Sequence, residues 1–220
     1  MTVVRAKPSV SGSRANQPLP LENGECLHSR EFLRRYNRMP QVKKAELIEG
    51  IVYMGSPVSI GHGKPDAIIQ AWLVTYASRH PGTEALANTT VILDPENTVQ
   101  PDALLRRLPE HGGASGVNED GYLTGPPELI VEIAVSSASI DLRDKRRAYC
   151  RNRVPEYLVW VVAEQRVEWF VLENDEYMPQ QPDAQGLLRS RVFPDLRLPV
   201  AGLSACDAAT VLAALAQPKG

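Results

Sequence analysis

The sequence predicts an α/β fold, a mixed central β-sheet flanked by α-helices, as one domain over residues 29–220 behind a flexible tail of residues 1–28. Three observations predict it. Within residues 128–135, everything after Glu128 is apolar except Glu132, the pattern of a strand covered on both faces. A charged helical segment from Asp141 to about Arg151 and a second apolar run, 156–162, come next, and strand, helix and strand at this spacing imply a crossover between parallel neighbours. With 220 residues, 43% of them hydrophobic and 23% charged, the chain can also bury one sizeable core, unlike a disordered or collagenous sequence.

The remaining elements follow in order. Ser29 reads as the cap of a short amphipathic helix carrying Phe32, Leu33 and Tyr36, stopped by Met39-Pro40. Residues 45–54 read as two short strands turning at Glu49-Gly50. After a loop over 55–63, Ile68, Ile69, Trp72, Leu73 and Tyr76 recur at helical spacing, predicting a helix from about Lys64 to His80 with Pro65 in its first turn and Pro81-Gly82 as its stop. Residues 89–93 and 98–105 form the arms of a predicted hairpin around Asp94-Pro95-Glu96-Asn97, with Asp102 on the second arm. The Gly-, Pro- and Asn-rich stretch 109–127 reads as a surface excursion. Residues 166–172 should pair antiparallel with 156–162, and an aspartate cap at Asp207 opens a short Ala/Leu helix.

Composition narrows the function classes. A formal net charge of −2 supplies no global field for nucleic acid, so such affinity would be local. Cys26, Cys150 and Cys206 stand far apart without a CxxC pair, which fits neither a disulfide framework nor a zinc knuckle. No stretch has the roughly 18 apolar residues of a membrane span, and residues 1–20 lack the apolar region of a secretory signal, so the expected setting is the cytoplasm.

Glu132 is the residue that demands a chemical explanation, because an ionised carboxylate in an apolar strand costs several kcal/mol unless paired, coordinated or protonated. It reads either as a structural acid salt-bridged to the following helix or as a ligand. Asp102, in Gln100-Pro101-Asp102, reads either as a turn residue or as a second acid on a neighbouring strand. Two such carboxylates suit Mg²⁺, a hard ion that takes oxygen ligands. Asp141, Lys145 and Tyr149 step by four along one helical face, so Lys145 is either an ordinary surface partner of Asp141 or a cation brought beside the acids. His62 reads as a helix-entrance cap or as a phosphate or water contact. Ser136, Ser137 and Tyr149 either bound a pocket or serve packing and capping. Two basic runs, Arg34 to Lys44 and Arg143 to Arg153, are either solvated faces or phosphate contacts, and no helix-turn-helix or zinc finger is present.

Together, Glu46-Leu-Ile-Glu-Gly50, His62, Gln100-Pro101-Asp102, Pro126-Pro127-Glu128-Leu-Ile-Val-Glu132-Ile133, Ser136-Ser137, Asp141-Leu-Arg-Asp-Lys145, Tyr149 and Val154-Pro155-Glu156-Tyr157 resemble, in order and spacing, the Uma-type restriction endonucleases of the PD-(D/E)XK superfamily. The resemblance runs from about Glu46 to Leu172. It implies a restriction-endonuclease-like fold and Mg²⁺- or Mn²⁺-dependent hydrolysis of DNA. By the same resemblance, Asp102, Glu132 and the Ile133 carbonyl are the metal ligands, Lys145 is the catalytic lysine and Glu46 is an additional acid. The chain departs from the superfamily pattern at Ala134, where the usual lysine stands, so the charge is expected from Lys145 on the helix. A homodimer is expected from the need to address two DNA strands and from apolar surface on 211–215 and Trp169-Phe170, segments that otherwise complete the core. The alternative is a catalytically inactive nuclease fold that binds nucleic acid or protein.

Overall fold

The computed structural model describes residues 19–216. Residues 1–18 of the expected tail lie outside the described residues. Of the rest, Leu21 is buried and Cys26 pairs with Ile51, so packed structure begins before Ser29.

The N-terminal half builds one sheet. Helix α1 (Ser29–Tyr36) begins one residue earlier than a Ser29 cap would place it: His28 is the cap position, and the Ser29 hydroxyl instead donates to the Asp94 carbonyl. Strands β1 (Ala45–Ile48) and β2 (Ile51–Met54) form the expected hairpin, with Glu49 and Gly50 both at positive φ in the turn. Helix α2 (Ile60–Ala77) starts four residues before the sequence expectation, and Pro65 lies inside it rather than in its first turn. Strand β3 (Thr83–Ala87), too short and alanine-rich to stand out in the sequence, follows.

The predicted 89–105 hairpin is half right. Strands β4 (Val91–Asp94) and β5 (Asn97–Val99) do pair around the turn, but the second arm breaks at Pro101 and resumes as β6 (Ala103–Arg107) in another sheet. A proline has no N–H to extend the ladder, which is why the chain changes sheets there. Asp102 therefore sits at the crossing point, immediately before β6. Short strands β7 (Gly116–Val117) and β8 (Leu123–Thr124) complete the first sheet in the order β2-β1-β5-β4-β8-β7.

The C-terminal half supplies most of the second sheet. Strand β9 (Leu129–Ala134) is buried along its whole length. The charged helix after it is not uniform: Ile140–Lys145 is a π-helix, and helix α3 (Arg146–Arg151) continues it in α geometry. Strand β10 (Glu156–Val161) returns parallel to β9, as the crossover reading requires, and β11 (Arg166–Glu173) and β12 (Glu176–Pro179) follow antiparallel. The sheet order is β12-β11-β10-β9-β6-β3. A two-stranded ribbon of β13 (Leu187–Arg189) and β14 (Arg197–Pro199) leads to helices α4 (Val200–Ser204) and α5 (Ala208–Ala213), the latter capped by Asp207 accepting from the Thr210 N–H.

Alternation along β9 divides the core. Leu129, Val131 and Ile133 pack against Ile69, Trp72 and Tyr76 of α2 and against Leu203 and Val211, whereas Ile130 and Ala134 share a cluster with Tyr149, Tyr157 and, from the first sheet, Ile48 and Val99. The second sheet thus lies between a helical layer and the first sheet with α3. Val211 and Trp169, from the segments expected to offer a dimer face, are fully buried in this chain.

Candidate active site

Parity places the two central acids together. Ala103 pairs with Val131, so one further antiparallel step sets Asp102 opposite Glu132, on the face shared by Leu104, Ile130 and Ala134. Because β6 has not yet begun at Asp102, the Asp102 carboxylate takes the ladder position: the Ile133 N–H donates to Asp102 Oδ2 at 2.8 Å. In a strand the N–H and C=O of one residue point to the same edge. The Ile133 carbonyl is therefore directed to this same edge.

Asp102 is pinned from every side. Lys44 Nζ lies 3.0 Å from Oδ1, His62 Nε2 lies 3.3 Å from Oδ2, and the Gln70 amide donates to the Asp102 carbonyl at 2.8 Å. Burial opposes its ionisation, but the His62 hydrogen bond, the Lys44 and Lys145 charges and the Ile133 amide outweigh it, so the carboxyl is held well below the usual range. The same pairing raises the His62 imidazole above its ordinary value against the effect of burial. His62 Nδ1 is buried and has no partner among the described residues.

Glu132 has a different electrostatic environment. It accepts from Lys145 Nζ at 2.9 Å and from the Tyr149 hydroxyl at 2.8 Å. Complete burial, added to the charges of Asp102, Asp141 and Glu46, pushes its carboxyl up to about 8, with Lys145 opposing. Lys145 also lies 3.0 Å from Glu46 Oε2 and 3.6 Å from Asp141 Oδ1. These three carboxylates overcome its burial and keep it firmly cationic. Glu46 holds the sheet crossing as well, accepting from the Gln100 N–H at 2.7 Å. Asp141 accepts from the Ser137 hydroxyl at 2.5 Å.

All five candidate side chains, Glu46, Asp102, Glu132, Lys145 and His62, line one cleft of about 410 Å³ together with Ile133, Lys44, Ser136, Ser137 and Asp141. Five carboxylates in its lining, Asp66 included, face two lysines. That excess of carboxylate over ammonium groups is the chemistry of a donor set fit for a hard cation. Among the described residues no three His, Cys, Asp or Glu side chains are grouped as a metal cluster, so such an ion would rest on two carboxylates, a main-chain oxygen and water.

A family model described as Uma2, putative restriction endonuclease, matches residues 30–201. The chain belongs to the Uma2 family. Its restriction-endonuclease-like α/β fold is shared with the crystal structure of a putative nuclease belonging to DUF820 from Anabaena variabilis, at 15% identity and a TM-score of 0.63 over 79% of this chain and 97% of that one. No curated protein matches the chain.

Two features of this Uma2 site escaped the sequence. Lys44 looked like part of a basic run, yet it precedes Glu46 by two residues on an extended segment, the spacing that sets both on one face. Gln70 carried no signal beyond its helical position. The basic runs themselves are largely paired with acids: Arg34 and Arg35 with Glu31, Arg147 with Asp144, Arg151 with Glu49 and Asp94, and Arg153 with Asp175, while Arg146 lies over the Phe170 ring. Among the described residues no helix is long and apolar enough to cross a membrane.

Proposed function

We propose that this Uma2 protein is a Mg²⁺-dependent endonuclease, with Mn²⁺ as a substitute, that hydrolyses phosphodiester bonds of DNA. The observation that carries this reading is the juxtaposition of Asp102 and Glu132 where β6 begins, with the Ile133 backbone at the same edge. Asp102, Glu132 and the Ile133 carbonyl would hold the cation. When bound, such a cation supplies Lewis-acid polarisation of a phosphoryl oxygen.

The protein's own residues do the rest. Lys145 and Tyr149 fix the Glu132 carboxylate, and Lys145 ties it to Glu46 and Asp141, so the acid is held in one orientation. His62 is anchored on Asp102 through Nε2, and in its neutral form the unpartnered Nδ1 would accept a proton from the attacking water. The water oxygen bonds to phosphorus as its proton passes to His62, one P–O ester bond breaks, and the departing oxygen takes a proton from solvent water. Incubating the protein with supercoiled and single-stranded DNA in Mg²⁺, Mn²⁺ or EDTA tests the reading: nicking that EDTA abolishes is expected, and no cleavage under any of these conditions overturns it.

A homodimer belongs to the same reading and rests on the need to reach two strands, since the apolar segments offered for it lie in the core. The second reading, a nuclease fold that binds without cutting, is favoured by one observation: Lys44 and Lys145 already pair with Glu46, Asp102, Glu132 and Asp141. Binding without cleavage would select it.

A further inference from the structure

Lys44 and Lys145 both reach the central acids, but they are placed for different tasks. The Lys145 side chain is 4% exposed and its ammonium already faces three carboxylates, with Glu132 and Glu46 at 2.9 and 3.0 Å and Asp141 at 3.6 Å. A phosphate could engage it only by displacing a buried acid. The Lys44 side chain is 29% exposed, and Asp102 is its one ion-pair partner among the described residues. Two of its N–H groups are left for another anion.

The backbone aims this lysine. Lys44 precedes β1 and its carbonyl accepts from the Gly55 N–H at 2.9 Å, just beyond β2. A Cβ on Gly55 would come within 2.8 Å of the Lys44 Cβ and 2.9 Å of its carbonyl oxygen. Glycine at this position thus lets the two segments close, and Lys44, in the lining of the cleft, reaches Asp102 Oδ1.

We propose that Lys44, rather than Lys145, is the ammonium that meets the substrate phosphate, and that without a divalent cation it serves as the counter-ion of Asp102. Lys145 is then a positioning residue for Glu132 and Glu46. This assignment rests on the nuclease reading and adds to it a lysine with two alternative partners: Asp102 before a cation binds, and a phosphate oxygen once a cation takes Asp102. A flexible four-carbon stem bearing a point charge suits such an exchange.

The test uses the full chain and two readouts besides cleavage. Mn²⁺ affinity is measured by electron paramagnetic resonance without DNA, and duplex DNA binding is measured in Ca²⁺ across a range of salt. Lys44→Met should bind Mn²⁺ roughly two- to fivefold more tightly, the scale of removing a partly exposed competing ion pair. It should also bind DNA more weakly, with a salt slope reduced by about 1, the loss of one phosphate contact. Lys44→Gln should give both effects, whereas Lys44→Arg should keep the slope. Unchanged Mn²⁺ affinity or an unchanged slope in Lys44→Met and Lys44→Gln overturns the Lys44 assignment alone. A wild-type protein that takes up no Mn²⁺ overturns the metal reading and the assignment with it.

Discussion

Lys145 shows how a single side chain can organise a site it need not touch chemically. Its ammonium is the shared counter-ion of Glu46, Glu132 and Asp141, all buried, and removing it leaves the three acids with hydrogen bonds but without that charge. Lys145→Met should therefore cost about 3–5 kcal/mol of stability, the range for breaking a buried ion pair. Adding Glu132→Gln to that variant should restore part of the loss. Urea unfolding measures both, and a single variant as stable as the wild type would mean the cluster does not hold the fold. Glu132 was legible from the sequence because an acid in an apolar strand is conspicuous. The triple partnership of Lys145 was not, because Glu46 is 99 positions away in the chain and no periodicity links them.

The turn between β4 and β5 ties separate elements through one carboxylate. Asp94 accepts from the Glu96 N–H, the Asn97 amide and the Asn152 amide after α3, while its carbonyl receives the Ser29 hydroxyl of α1. Burial would raise its pKa, but the Asn152 and Asn97 hydrogen bonds, the Glu96 amide and the Arg151 charge prevail, and the carboxyl is lowered. A lowered folded-state value means that the stabilisation is full above the ordinary value of 3.8 and is lost as pH falls through the folded-state value. The stability gap between wild type and Asp94→Asn should hold constant from pH 7 to about 5 and shrink at lower pH. A gap independent of pH throughout the acid range would refute the role. The π-helix over Ile140–Lys145 works at the same level: its i→i+5 geometry lets Asp141 and Lys145 both turn inward ahead of Tyr149. Sequence spacing indicated a shared face but read it in α geometry, because a π-turn has no compositional signature.

Across the fold, the site lies where two sheets meet, so cation binding should stiffen the junction. Mg²⁺ is expected to raise the melting temperature, by the equivalent of about 2.7 kcal/mol at a hundredfold excess over Kd. Glu132→Gln should lose most of that shift. A wild-type melting curve unmoved by millimolar Mg²⁺ or Mn²⁺ would count against the donor set. The C-terminal helix offers a separate check. Val211→Asp places an unpaired charge among Ile69, Leu203 and other core residues, so it should lower the unfolding midpoint strongly without changing the sedimenting species. Conversion of a wild-type dimer to a monomer by that substitution would instead restore the helix as an interface.

Local patterns were enough to reveal the elements with strong periodicity: the β1–β2 hairpin, β9, β10 and their crossover, and the apolar face of α2. They were also enough to mark Glu132 as a candidate, because charge set among apolar residues is costly and therefore visible in a sequence, Asp102 by its place after Pro101 on a neighbouring strand, and Lys145 by its four-residue step from Asp141. What they could not supply was the change of sheet at Pro101, the packing of the Val211 helix inside the core, and the arrival of Lys44 at Asp102. Each of these depends on contacts between segments distant in the chain, set by which surfaces remain to be covered once the strands have paired.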